Sequence, residues 1–205
     1  MSATVTQLNA GSNSTQAFDV EAIRRDFPIL NEEVYGRPLV YLDNGASAQK
    51  PRQVIDAMSA VYEHQYANVH RGVHYMSQHT SEAYEESRRK VQRFMNAASE
   101  NEIVFTRSAT EAINLVANSY GRAFLKAGDE VVISHMEHHA NIVPWQMLRD
   151  QIGFELKVVP ILDDGSLDMD AYKALLNART KIVAMTHISN ALGSIVRSEE
   201  HTSEL

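Results

Sequence analysis

Short runs of strand-forming residues alternate with segments of helical periodicity along most of this chain. Strands are predicted at 102–106, 130–133, 154–159 and 181–185, and helices at about 108–125, 141–151 and 168–176. This alternation is typical of strand-helix-strand units around a mainly parallel sheet with helices on both faces. The sequence therefore predicts an α/β fold.

The first hundred residues carry weaker signals of the same kind. A short helix is predicted at 19–25, ended by Phe27-Pro28, and a short strand at 39–42. Pro51 is expected at the first position of a helix that runs to about residue 66, because that position needs no backbone N–H. A longer helix is predicted at 77–96.

Composition excludes several classes of protein. The chain has 205 residues, 44% of them hydrophobic, and a net charge of −7. This acidic balance argues against nucleic-acid and membrane partners. The absence of cysteine excludes a disulfide framework. Residues 1–17 are polar and lack Lys and Arg, so they fit no signal or transit peptide. We expect a disordered N-terminus and a cytoplasmic protein.

The loop after the strand predicted at 130–133 has an unusual composition. Residues 134–145 contain three histidines and a tryptophan. Ligands of open α/β sheets bind at this carboxyl edge, and a flat, charged cofactor needs a planar imidazole to stack on. The alternative for His138 is an exposed or metal-binding histidine. Since the histidines around Glu137 match no zinc-binding spacing, we expect no metal.

A second candidate lies where the strand at 102–106 passes into the next helix. Ser108, Ala109 and Thr110 begin that helix, where backbone N–H groups and the helix dipole favour an anion such as phosphate. The alternative is a capping box formed by Ser108 and Glu111, which needs no ligand. The residues alone leave both open.

Five ordered motifs carry a resemblance to a known family. They lie at 41–51, 68–74, 106–114, 134–145 and 186–193. Together they resemble the SUF-type cysteine desulfurases and selenocysteine lyases, which are pyridoxal-phosphate enzymes of the class V aminotransferase superfamily. The similarity runs from about Phe18 to Val196. It implies the large domain of an aspartate-aminotransferase-like, pyridoxal-phosphate-dependent transferase, with pyridoxal 5'-phosphate as the cofactor.

The resemblance implies roles for six residues. His138 would stack on the pyridoxal ring and move protons, and Ala109 and Thr110 would contact the phosphate. Asn190, in a turn closed by Gly193, would donate to the cofactor or to a substrate carboxylate; by turn preference alone it could equally be a turn asparagine. The resemblance places His70 and Arg71 near the substrate and the dimer interface. Without the resemblance, these two residues would be interpreted as part of a charged loop.

The same resemblance implies that parts are missing. In the family, the pyridoxal lysine, an aspartate and the nucleophilic cysteine lie beyond the position of Asn190, and none of the lysines here has the family's Ser-x-His-Lys context. We expect 18–196 to form a C-terminally truncated large domain with an N-terminal segment. Residues 197–205 resemble a translated sequencing-library adaptor, so we expect them to be non-native.

The function expected from the resemblance is that of a fragment, itself inactive, of a cysteine desulfurase. Such an enzyme converts L-cysteine to L-alanine and an enzyme persulfide, which supplies sulfur for iron–sulfur clusters. A homodimer and a sulfur-acceptor protein are the expected partners of the full-length enzyme. The alternatives are a lyase acting on L-selenocysteine, a kynureninase-like lyase, and a non-catalytic interaction fragment.

Overall fold

The computed structural model describes residues 18–196, which fall into two compact units, 18–100 and 101–196. The segments 1–17 and 197–205, expected to be a disordered terminus and a non-native tail, lie outside the described residues. The assignment of 18–196 to one partial large domain stays a prediction. No helix within 18–196 is long and apolar enough to cross a membrane.

The first unit is mostly helical. Its elements are α1 (Val20–Arg25), a 3-10 helix (Pro28–Asn31), the strands β1 (Glu33–Val34) and β2 (Arg37–Pro38), α2 (Arg52–Ala60) with a π-helical turn (Val61–Gln65), and α3 (Tyr75–Phe94).

Local caps explain where these helices begin. The Asp19 side chain accepts a hydrogen bond from Ala22 N at 2.9 Å, which starts α1 as predicted. His74 Nδ1 accepts from Ser77 N at 3.3 Å, so α3 begins two residues before the predicted Ser77. Pro51 is the residue before α2 rather than its first residue, which corrects the prediction by one position.

The strand predicted at 39–42 is wrong. Val40 and Leu42 are 78% and 90% exposed, and the segment forms no ladder within the described part of the chain. The neighbouring β1 and β2 pair instead, as a small antiparallel hairpin. Its two turn residues, Tyr35 and Gly36, both have positive φ, as a two-residue hairpin turn of type I′ requires.

The second unit is built around a three-stranded parallel sheet. Its strands, in the spatial order β4-β3-β5, are β3 (Glu130–Ser134), β4 (Glu155–Val159) and β5 (Thr180–Ala184). The helices are α4 (Ala109–Val116), α5 (Arg122–Phe124), α6 (Val143–Ile152) and α7 (Met169–Leu175), with a π-helical turn (Ala117–Gly121) joining α4 to α5.

The central strand β3 is buried on both faces. Val131 and Ile133 pack with Trp145 and Leu148 of α6, while Val132 packs on the other face with a cluster that includes Tyr172 of α7. Helices therefore cover both faces of the sheet, and the predicted α/β architecture is confirmed. The three strands agree with those predicted at 130–133, 154–159 and 181–185 to within one residue at each end.

Two further predictions need correction. The strand predicted at 102–106 is wrong: a 3-10 helix (Glu100–Glu102) precedes a segment to which the described structure assigns no strand, and Val104 is 65% exposed. The helix predicted at 108–125 exists, but the π-helical turn interrupts it. That turn ends at Gly121, where a Cβ would lie 2.7 Å from Leu148 Cδ2, so a larger residue there would force the Leu148 side chain to shift.

Leu148→Ala tests whether the α6 face is the core of the second unit. Leu148 is 2% exposed, so its truncation should leave a cavity and lower the free energy of unfolding by about 2–5 kcal/mol. The control is Met147→Ala on the same helix, which is 58% exposed and should change that free energy by less than about 1 kcal/mol. Urea unfolding of the full-length protein measures both, and equal losses would contradict this core.

Candidate functional site

Two loops of the second unit leave the sheet at the same edge. β3 ends at Ser134 and β5 at Ala184, and because the strands are parallel, the segments that follow both start at the carboxyl edge. The loop after β3 carries His138, and the loop after β5 carries Asn190. The fold thus brings these two predicted residues to one side of the sheet.

His138 is held in place by its own backbone turn. It precedes a 3-10 helix (His139–Asn141), and its Nδ1 accepts a hydrogen bond from Ala140 N at 3.1 Å. With Nδ1 acting as acceptor, the proton of the neutral ring resides on Nε2. The residue is exposed, so the imidazole presents a face and a protonated nitrogen to its surroundings.

The neighbouring Glu137 connects the two loops. The residue is only 9% exposed, and its carboxylate accepts from Ser134 Oγ at 2.5 Å, Asn141 Nδ2 at 2.8 Å and Thr186 N at 2.9 Å. Asn141 also accepts from Trp145 Nε1 at 3.0 Å, which ties the network to α6. One buried carboxylate therefore joins the end of β3, the His138 loop and the start of the Asn190 loop.

Asn190 lies in a tight turn after β5. Gly193 N donates to Ser189 O at 2.9 Å and Leu192 N to Ser189 Oγ at 3.2 Å, while Gly193 has a φ of +72°. The predicted turn closed by Gly193 is therefore present. Asn190 is exposed, and its side-chain amide makes no hydrogen bond to any residue in 18–196. Such an amide is available to a ligand.

Ala109 and Thr110 are the first two residues of α4. Ser108 Oγ caps the helix by accepting from Glu111 N at 3.2 Å, which leaves the backbone N–H groups of Ala109 and Thr110 without a partner in 18–196. Both residues are exposed. Two free N–H groups at the positive end of a helix can bind an anion. The 3-10 helix after His138 packs against α4, so the helix that begins with Ala109 and Thr110 contacts the His138 loop.

The proposed capping box is only half formed. Glu111 does not reach back to the N–H of Ser108; its Oε2 accepts from Arg107 N at 2.6 Å, and its carboxylate pairs with the Arg107 guanidinium at 3.0 Å. The hydrogen bonds from the Arg107 side chain and then from its backbone hold the pKa of Glu111 below the ordinary value of 4.5.

His70 and Arg71 lie in the first unit, in a loop held against α3. His70 has a φ of +58°; its N–H donates to Ser81 Oγ at 2.8 Å and its Nε2 to Glu85 Oε1 at 2.9 Å. This hydrogen bond, followed by the one from Arg88, holds the pKa of Glu85 below its ordinary value. Arg71 is exposed and forms no ion pair with the described residues, so its guanidinium is the group of this loop left to bind an anion.

No group of three or more His, Asp or Glu residues within 18–196 is arranged to hold a metal ion. Sequence reasoning missed the network of Glu137, Asn141, Trp145 and Thr186. A signal existed for three of these, because they are spaced four residues apart, as neighbouring side chains on one helical face would be.

The family model described as aminotransferase class-V matches residues 40–204. The chain belongs to the class V aminotransferase family. The match includes most of the segment 197–205, and the expectation that this segment is non-native stays a prediction.

Curated relatives are named cysteine desulfurases. One from Pectobacterium atrosepticum is 55% identical over 179 residues, which are 87% of this chain and 44% of the relative. One from Synechococcus elongatus is 52% identical over 195 residues, which are 95% of this chain and 31% of the relative. The chain therefore spans less than half the length of these relatives.

Solved structures of cysteine desulfurases have the same fold. An apo enzyme from Thermococcus onnurineus is similar with a TM-score of 0.77 at 41% identity, over 86% of this chain and 42% of that one. The enzyme CsdA from Escherichia coli is similar with a TM-score of 0.74 at 36% identity, over 88% of this chain and 44% of that one. The predicted fold of pyridoxal-phosphate-dependent transferases is confirmed.

The ion pair at the start of α4 predicts a pH dependence. A carboxyl whose pKa is lowered on folding stabilises the folded state above its ordinary pKa, and that stabilisation is lost as the pH falls through the lowered pKa. Glu111→Gln should therefore lower Tm slightly at pH 7. The difference in Tm between the wild type and the variant should disappear below pH 4.5. Thermal unfolding across this range tests it, with the exposed Glu82→Gln as control. A gap that persists at low pH would contradict it.

Proposed function

We propose that the protein containing this chain is a SUF-type cysteine desulfurase that uses pyridoxal 5'-phosphate. The observation that carries this proposal is the identity of 52–55% to the two curated cysteine desulfurases over nearly all of the described residues. The geometry at the carboxyl edge of the sheet supports it, because an exposed imidazole lies on a loop that contacts α4, a helix with a free N-terminus.

The residues at this edge fit the proposed cofactor. The free N–H groups of Ala109 and Thr110, with the Thr110 hydroxyl, would hold the phosphate. The His138 ring would stack on the pyridine ring, and the Asn190 amide would donate to the cofactor or to the substrate carboxylate. When bound, pyridoxal phosphate supplies an electron sink for the bonds at the substrate Cα.

The chain's own contribution to the chemistry is proton transfer and orientation. His138 Nε2 carries the proton of the neutral ring, since Nδ1 accepts from Ala140 N, so proton exchange with a substrate would take place at Nε2. In the first unit, Arg71 would orient an anionic substrate group, while His70, already engaged with Glu85, would help to fix the loop that carries Arg71.

The sulfur-accepting thiol would come from outside these residues. The 205 residues contain no cysteine, so the thiolate that takes sulfur from L-cysteine to leave L-alanine would belong to a part of the protein outside these residues. The same is proposed for the lysine that would carry the cofactor. A homodimer, a sulfur-acceptor protein for iron–sulfur cluster assembly, and a cytoplasmic location complete the proposal.

The full-length protein, loaded with pyridoxal phosphate, should form L-alanine from L-cysteine together with a protein persulfide. Alanine formation from L-cysteine is compared with that from L-selenocysteine and with cleavage of kynurenine. The isolated 205-residue chain should release sulfide no faster than free pyridoxal phosphate does, because it has no cysteine. Preference for selenocysteine or kynurenine, or no turnover, would overturn the proposal.

His138→Ala and Thr110→Ala should have different consequences in the full-length protein. Loss of the imidazole should lower kcat by roughly 100-fold or more, as expected for a lost acid–base group. Loss of the Thr110 hydroxyl should weaken cofactor affinity by roughly tenfold, the effect of one hydrogen bond to a charged group. The control is His135→Ala, an exposed histidine of the same loop. Wild-type turnover and cofactor affinity in both variants would contradict these roles.

A further inference from the structure

Glu137 is a buried carboxylate that none of the roles above uses. Both of its oxygens act as acceptors: Oε1 from Ser134 Oγ and Thr186 N, and Oε2 from Asn141 Nδ2. A buried carboxylate costs free energy unless several donors surround it. Here the three donors come from three different segments of the second unit, so the carboxylate also fixes those segments to one another.

The side-chain amide of Asn141 can take only one of its two orientations. Its Nδ2 donates to Ala184 O at 3.0 Å, and its Oδ1 accepts from Trp145 Nε1. A carbonyl oxygen can only accept and an indole N–H can only donate, so the amide cannot be reversed without losing both bonds. Asn141 therefore always presents a donor to position 137, which requires an acceptor there.

We propose that Glu137 is a positioning residue that holds the His138 loop and the Asn190 loop in one fixed geometry. The carboxylate anchors the first loop through Asn141, three residues after His138, and the second through Thr186 N, four residues before Asn190. Its significance for catalysis rests on the proposed function, in which His138 and Asn190 contact the cofactor from these loops. Small displacements of such groups are costly for turnover.

A second buried carboxylate provides a matched control. Glu130, at the opposite end of β3, is 1% exposed; its Oε2 accepts from Asn177 Nδ2 at 2.8 Å and its Oε1 lies 2.6 Å from Arg179 Nη2. That second contact is an ion pair without the alignment of a hydrogen bond. Like Glu137, Glu130 is buried, but it lies in β3 itself, and its side-chain contacts are to Asn177 and Arg179 rather than to either loop.

The test compares Glu137→Gln with Glu130→Gln in the full-length protein. Glutamine keeps the size of glutamate but has one acceptor oxygen, so in either orientation its amide nitrogen faces Asn141 Nδ2 or Thr186 N. Hydrogen exchange of the apoprotein should then quicken roughly tenfold at Thr186 N, or at Asn141 N and Ile142 N of the His138 turn, the effect of one lost hydrogen bond. Glu130→Gln should quicken exchange near 177–180 instead.

The loaded enzyme provides a second measurement. In Glu137→Gln, the visible circular dichroism of bound pyridoxal phosphate should change and kcat should fall roughly 10- to 100-fold, as expected when reacting groups are misplaced. Glu130→Gln should leave the circular dichroism unchanged. Unchanged exchange in both loops, or the same loop effects from Glu130→Gln, would overturn the proposal.

The experiment remains decisive if the variant does not fold or if the proposed function fails. If Glu137→Gln does not fold, Glu137→Asp keeps the charge but shortens the side chain by one methylene, so that it cannot reach all three donors; the same loop amides must exchange faster, and unchanged exchange would overturn the proposal. If the wild-type protein converts no cysteine, the proposed function fails. The exchange measurement on the apoprotein still decides whether Glu137 holds the two loops.

Discussion

Parallel pairing on both sides of β3 is the constraint on which the second unit depends. All five residues of the strand are buried, its two edges pair with β4 and β5, and its two faces pack on separate apolar clusters. Three parallel strands must send their following loops to the same edge. The sheet thus determines where His138 and Asn190 can lie before any contact between their loops forms. The same pairing buries the groups at the strand ends, and Ser134 at 0% exposure needs a polar partner there.

Glu137 meets that need in a way that a hydrophobic residue could not. Packing alone would bury the edge of the sheet, but it would not select one relative placement of two loops, because apolar contacts tolerate sliding. Hydrogen bonds from a side-chain amide, a hydroxyl and a backbone N–H each require a direction, and all three converge on one carboxylate. The role proposed for the Glu137 carboxylate is therefore geometric: it selects one relative placement of the two loops.

The sequence predicts the second unit better than the first, for a physical reason. The runs at β3, β4 and β5 are strand-forming and find one another as neighbours, so the local pattern and the final pairing agree. The segments 39–42 and 102–106 have similar residues, yet neither is a strand in the described structure, and Val40, Leu42 and Val104 remain more than half exposed. A residue pattern indicates that a segment can be a strand, but a strand exists only where a partner supplies its hydrogen bonds. Sequence periodicity carries no information about that partner.

The candidate site likewise contains residues that local sequence suggests and a contact that only the fold creates. Local sequence placed His138 and Asn190 after predicted strands and Ala109 and Thr110 at the start of a predicted helix, but it left an alternative open for each site, and the roles toward a cofactor were implied by the family resemblance. Asn141 and Trp145 follow Glu137 at spacings of four residues, so the sequence contained a signal for this part of the Glu137 network, although the signal was missed. The bond from Thr186 N to Glu137 spans 49 residues and exists only through the parallel register of β3 and β5. The residues that would touch a ligand are thus the predictable ones, whereas the link that fixes their relative placement is a property of the fold. A search of related sequences for function should therefore weigh the buried acceptor at position 137 together with the exposed histidine beside it, because the role proposed for Glu137 is to fix the loop that carries this histidine.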